Sequence, residues 1–207
     1  MTLIEIQFLP SLEYFCCLLK HPVTLDRHEH FVKQTYRNRC YINSANKVIP
    51  LVVPIKSGSR RLPMAEVPID YRQKWLNSLW SSIQSAYGKS PFYEFYEEEF
   101  HSVLFSKPDF LFDLNFKLLT LCLRCLQINL ELKLSTGYHL TEDRGLNDLR
   151  SKIHPKKPFG DRNFYRPYSY TQLFGNNFVP NLSLIDLIFC EGPNAGAILR
   201  KSMFQPE

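Results

Sequence analysis

The chain has 207 residues, 44% hydrophobic and 14% aromatic, which is enough to bury a substantial core and excludes bulk disorder. A formal charge of +5 suits an anionic small ligand. Lys and Arg are spread along the chain rather than gathered on one element, so nucleic acid is not favoured as a partner. The start MTLIEIQFLPSLEYF lacks the basic segment and long apolar run of a leader. No run of about 18 apolar residues predicts a membrane span. The six cysteines are scattered among apolar neighbours and read as reduced thiols, so the expected compartment is the cytoplasm.

In chain order, residues 3–7 (LIEIQ) alternate as a short strand, Pro10 breaks it, and SLEYFCCLLKH has helical apolar spacing up to Pro22. VTLDRHEHFV predicts a second strand and RCYINSA a third. KVIPLVVPIK is a β-branched run whose Pro50 and Pro54 place it at a sheet edge, and AEVPID predicts another short strand. Residues 71–88 put Trp75, Leu79, Ile83 and Ala86 on one helical face. SPFYEFYEEEF starts a second helix with Ser90 as cap and Pro91 in its first turn. A third helix is predicted over 109–127, followed by an alternating strand in NLELKLSTGY. Residues 141–178 are irregular, basic and aromatic, and their length marks a functional loop. NLSLIDLIFCEGPNAGAILRKS then reads as a helix capped by Asn181 or Ser183 that stops near Gly192-Pro193. The fold expected is α/β: a mixed β-sheet with flanking helices in a single domain over 1–207. It is sheet-rich over 1–70 and helical over 71–127, with a strand, the long loop and a last helix over 128–207.

The stretch HFVKQTYRNRCYI concentrates candidate ligand groups. If it is extended, Lys33, Arg37 and Arg39 are able to converge on a phosphate or carboxylate, with Asn38 fixing a turn. The competing reading is a solvated sheet edge whose charges discourage aggregation. His28 and His30 would share a strand face, but no third and fourth ligand follow, so no metal is expected. Cys122 and Cys125 have CxxC spacing inside an apolar helix and read as core thiols. GxGxxG, GxxxxGK[ST] and GxSxG are all missing, which removes the usual dinucleotide, P-loop and hydrolase readings, and no cofactor is expected. His154, flanked by cations in RSKIHPKKP, is the candidate for proton transfer, since those neighbours favour its neutral form.

These segments, in this order, resemble the WbqC-like protein family. The counterpart of its opening is IQFLPSLEYF, with Gln7, Pro10, Tyr14 and Phe15; Lys33, Tyr36, Asn38 and Arg39 match its next motif. LVVPIK, EVPID, Trp75, SAYGKSPFYEF and LFDLNFKLL follow in sequence. PYSYTQLFGNNFVPNLSLIDLIFCEGPNA carries the closing motif through Tyr170, Gln172, Ser183, Asp186, Gly192 and Pro193. Two departures stand out: Glu13 replaces the usual glycine before Tyr14, and Arg27-His28 replaces an acidic pair. The resemblance implies a role in bacterial surface-polysaccharide (O-antigen type) biosynthesis, as a transferase acting on an anionic activated donor such as a nucleotide-sugar. The ligand set then expected is Gln7, Lys33, Asn38, Arg39 and Gln172, with His154 deprotonating an acceptor. The alternatives are a non-catalytic binding or scaffold protein of the same pathway and, behind it, an RNA-directed protein using Tyr165, Arg166 and Tyr168.

Overall fold

The computed structural model describes residues 1–140 and 145–205; the first four residues of the expected irregular loop, 141–144, lie outside the described residues. The fold is α/β. Strand β1 (Thr2–Glu5) runs into helix α1 (Leu12–Lys20), which returns the chain to β2 (Val23–Asp26). An antiparallel pair, β3 (Arg39–Asn43) and β4 (Val48–Val52), follows, with Arg39 opposite Val52. Helices α2 (Trp75–Tyr87), α3 (Tyr93–Phe105) and α4 (Leu111–Cys125) then lead to β5 (Lys133–Leu134) and β6 (Asn147–Asp148). Helices α5 (Leu184–Glu191) and α6 (Ala195–Lys201) close the chain.

Strands β5, β2, β1 and β6 lie side by side in that order, all parallel. The chain fills the sheet from β1 outward to β2 and β5, then crosses back to add β6 on the other side of β1. The order therefore reverses between β1 and β6. In open parallel sheets such a reversal, at the carboxyl ends of the strands, is where a crevice for ligands forms.

The expected second strand is shorter than its apolar pattern suggested. The Asp26 carboxylate accepts from the backbone N–H groups of His28 and Glu29 at 2.9 and 3.2 Å, and this turns the chain out of the sheet. His28 and His30 therefore do not share a strand face: His30 makes an isolated bridge with Pro63, and residues 33–38 form turns and bends. AEVPID is a 3-10 turn over Met64–Glu66 with isolated bridges at Pro68 and Ile69, because Pro63 and Pro68 supply no N–H to a ladder. Helix α3 begins at Tyr93, since the Ser90 hydroxyl donates back to the Tyr87 carbonyl instead of capping. Strand β6 had no recognisable pattern at two residues.

The core gathers on α5, whose residues Leu184 to Cys190 are all buried, as expected of a helix apolar on every side. Phe189 is its centre, with ring centroids 5.3, 5.2 and 5.5 Å from Tyr87, Tyr93 and Phe100. Gly192, with φ of 51°, ends the helix beneath the Phe92 ring, where a Cβ would collide with that ring. All six cysteines are free and buried, and burial pushes the Cys125 thiol up to about 11. Replacing Phe189 with alanine should lower stability by about 3–5 kcal/mol, through lost burial and the cavity left behind. The same change at the exposed Phe95 should stay within about 0.5 kcal/mol, both read from urea denaturation.

Candidate functional site

Strands β1, β2 and β6 each end on an acid: Glu5, Asp26 and Asp148. The register sets Glu5 directly beside Asp26, and Asp148 beside Leu3 of the same strand as Glu5. Adjacent like charges repel, so this edge of the sheet requires cations and donors aimed at it. Arg150 supplies one set. It donates from Nη1 to Asp26 Oδ2 (2.8 Å) and from Nε and Nη2 to both oxygens of Asp148 (3.0 and 2.8 Å). Ser135, just past β5, donates its hydroxyl to Asp26 Oδ1 at 2.9 Å.

Arg37 supplies the other. Only 1% exposed, it forms a two-pronged pair with buried Glu29, at 2.7 Å from Nε and 2.5 Å from Nη2. Nη2 also donates to the Ser151 hydroxyl at 3.1 Å, and the Ser151 N–H donates to Glu5 Oε2 at 2.8 Å. Ser151 holds a φ of 57°, uncommon for a residue with a side chain, and these two bonds fix it there. Gln7 donates to Glu5 Oε1 at 3.2 Å, and Asn115 of α4 donates to the Arg37 carbonyl at 2.8 Å. Gln7, Glu5, Ser151, Arg37 and Glu29 thus form one continuous network under the 148–151 segment. Burial pushes the Glu29 carboxyl up, against the pull of Arg37. Four buried atoms on this network or next to it have no partner among the described residues: Gln7 Oε1, Arg37 Nη1, Asn38 Oδ1 and Asn115 Oδ1.

Above this acidic floor the rim is basic. Lys156 donates from Nζ to Gln34 Oε1 at 2.8 Å, which ties the turn carrying Lys33 to the turn carrying His154 and Lys157. Partial burial and the neighbouring Lys157 and Lys156 lower the His154 pKa, and its ring lies within electrostatic reach of Arg37 and Glu5. The Lys156 N–H donates to His154 Nδ1 at 3.1 Å. The neutral ring therefore carries its proton on Nε2 and presents a donor.

The residues expected from the sequence fall into different places. Gln7 and Asn38 are buried at the floor, Asn38 donating to the Val53 carbonyl at 2.9 Å. Lys33 is exposed in the turn beside Gln34 and His154 is half-buried, while Arg39 is half-buried on β3, its Nε without a partner among the described residues. Gln172 belongs to a separate group around Asp186 in the first turn of α5. There Tyr87, Tyr170 and Gln172 donate to the Asp186 carboxylate at 3.0, 2.6 and 3.0 Å. No cation joins them among the described residues, and burial raises the Asp186 pKa against these three donors. Glu13, which stands where the family has glycine, is buried and gripped by Arg162 at 2.6 and 2.7 Å. Glu5, Asp26, Glu29, Arg150 and Ser151 are not among the ligand residues expected from the sequence. The available signal was an apolar run ending on an acid, in TLIE and again in VTLD. Among the described residues no three His, Cys, Asp or Glu side chains are grouped to hold a metal. An open cavity of about 500 Å³ between Lys56, Asp70, Arg72 and Phe110 includes none of the floor residues.

Fold and geometry together define an α/β protein with a polar centre at the carboxyl ends of its parallel strands. The chain belongs to the WbqC-like protein family, whose model matches residues 7–155 and 161–198. No curated protein and no solved structure matches it.

Arg37→Ala should cost about 3–5 kcal/mol in urea denaturation, because Glu29 is left buried without its cation. Replacing both partners with apolar residues should recover much of that loss. Asp186 gives a pH prediction of definite sign. Its folded pKa lies above the ordinary value of 3.8, so the folded state binds more protons than the unfolded one. The stability it contributes is full below that ordinary value and is lost as pH rises through the folded value. Asp186→Asn should therefore gain on the native protein between acid and neutral pH, measured as the difference of the two unfolding free energies.

Proposed function

We propose that the chain is a transferase of bacterial surface-polysaccharide biosynthesis that takes an anionic activated donor of the nucleotide-sugar class at this site. The observation that supports the reading is the Lys156–Gln34 bond, which joins the turn carrying Lys33 to the turn carrying Lys157 and His154, whose ring lies within electrostatic reach of Arg37 and Glu5. Lysine ammoniums on exposed turns suit the phosphates of such a donor. Family membership supports the pathway, and the reversal of strand order supports the location.

On this reading His154 acts as a donor rather than as the base expected from the sequence, because its Nδ1 accepts the Lys156 N–H. A neutral ring with its proton on Nε2 donates to the leaving phosphate oxygen and so stabilises the charge that develops there. To act as a base at Nδ1, the ring would have to give up the Lys156 N–H. A second reading, binding without turnover, is favoured by one observation: Glu5, Asp26, Glu29 and Asp148 all have partners, so none of them stands ready as a base.

The test is thermal unfolding against a panel of nucleotide-sugars, followed by assay of nucleoside diphosphate release for any that bind. A donor at 100 times its Kd should stabilise by about 2.7 kcal/mol, and the shift should vanish in the Lys33→Ala, Lys156→Ala, Lys157→Ala triple variant. Stabilisation without release selects the binding protein. A panel with no stabilising member overturns both readings.

A further inference from the structure

The group around Asp186 leaves a question, because buried polar networks of this kind hold something in place. Gln172 gives the answer. Besides its bond to Asp186, its Nε2 donates to the Val179 carbonyl (2.9 Å) and its Oε1 accepts the Val179 N–H (2.8 Å), closing residues 172–179 into a pinned loop. On the far side Asn43, the last residue of β3, donates to the Phe174 carbonyl at 3.1 Å. The loop is thus fastened at both ends, to α5 and to the β3–β4 hairpin.

Two adjoining cavities of about 240 and 330 Å³ open along it and share Gly175, Asn176 and Asn177. One is walled by Phe178, which meets Tyr170 edge-on at 5.1 Å; the other includes Phe174, Asn43 and Asn46. Among the described residues the side chains of Asn46, Asn176 and Asn177 make no hydrogen bond, so each offers a donor and an acceptor in one plane. Lys47 supplies the charge in this lining. The cleft therefore combines neutral planar hydrogen-bonding groups with aromatic walls. A phosphate or carboxylate would find few cations there. Hydroxyl groups, which donate and accept at once, match the amides, and the C–H face of a pyranose ring matches the phenyl walls.

We propose that this cleft is a second binding site, separate from the sheet edge, for a neutral polyhydroxylated ligand such as a short oligosaccharide. Strand β3 sets the separation, running from beside Asn38 at the floor to Asn43 at the cleft, roughly 15 Å at ~3.4 Å per residue. The motif residues Tyr170, Gln172 and Asp186 then act as positioning residues that present Asn176 and Asn177. The assignment stands apart from the transfer reading, since no rim or floor residue lines the cleft.

The experiment is a titration of the ¹⁵N-labelled protein at millimolar maltotriose, cellotriose and chitotriose, with a uronic-acid oligosaccharide and an unstructured peptide as comparisons. At least one neutral saccharide should shift the side-chain amide signals of Asn176 and Asn177. The exposed Asn176→Ala, Asn177→Ala double variant should weaken that binding about tenfold, the loss of two amide contacts. Asn46→Ala, on the opposite wall, should weaken it as well. Nucleotide-sugar stabilisation should be unchanged in both variants, so failure here and failure of the transfer reading are told apart. No shift with any neutral saccharide, or stronger shifts with the peptide or the uronic-acid chain, would overturn the assignment.

Discussion

Strands that end side by side on carboxylates are stable only if something positive or proton-donating is brought between them, and much of this molecule is arranged to do so. Glu5 and Asp26 are neighbours by register, and Asp148 joins them when β6 is added beside β1. Arg150 spans Asp26 and Asp148, while Arg37 neutralises Glu29 and reaches Glu5 through Ser151. The segment that supplies Arg150 and Ser151 is thereby drawn across the ends of the strands, and its backbone bends to a positive φ to make the contact. Charge placement and chain path are one problem here.

The same molecule solves the burial of an acid in two ways. At the sheet edge, cations compensate carboxylates, and removing one partner leaves an uncompensated charge. Around Asp186, neutral donors from Tyr87, Tyr170 and Gln172 share one carboxyl group and favour its charged form, yet burial outweighs them and raises its pKa. The first arrangement leaves polar groups near a basic rim and suits ligand chemistry. The second is closed upon itself and suits the anchoring of a loop. Physical character, more than motif membership, separates the two sets of residues.

Much of the architecture was legible because it rests on local signals. The helical spacing of Leu12 to Leu19, Trp75 to Ala86 and Leu111 to Cys125, and the β-branched run at Val48–Val52, correspond to elements found. The pattern failed where side chains compete with the backbone: Asp26 turns a strand out of the sheet, and Ser90 donates backwards where a cap was expected. Of the candidate site, Gln7, Lys33 and Asn38 were expected from residue type and resemblance, and His154 from its cationic neighbours. The acids were passed over because a carboxylate at a strand end reads as solvated until its neighbour is known. Arg37 was noticed as a cation, but its partner Glu29 lies on the chain itself rather than on a ligand.

The sequence by itself determined the α/β class, the family, the mild basicity and the helices, since periodicity and composition act within a few residues along the chain. Only the tertiary structure decided that Glu5, Asp26 and Asp148 share an edge, that Arg37 faces inward, and that Gln172 serves a different network from Gln7. Those facts depend on strand order and register. A two-residue strand arriving from position 147 completes the edge, and no local pattern encodes which strand it will join.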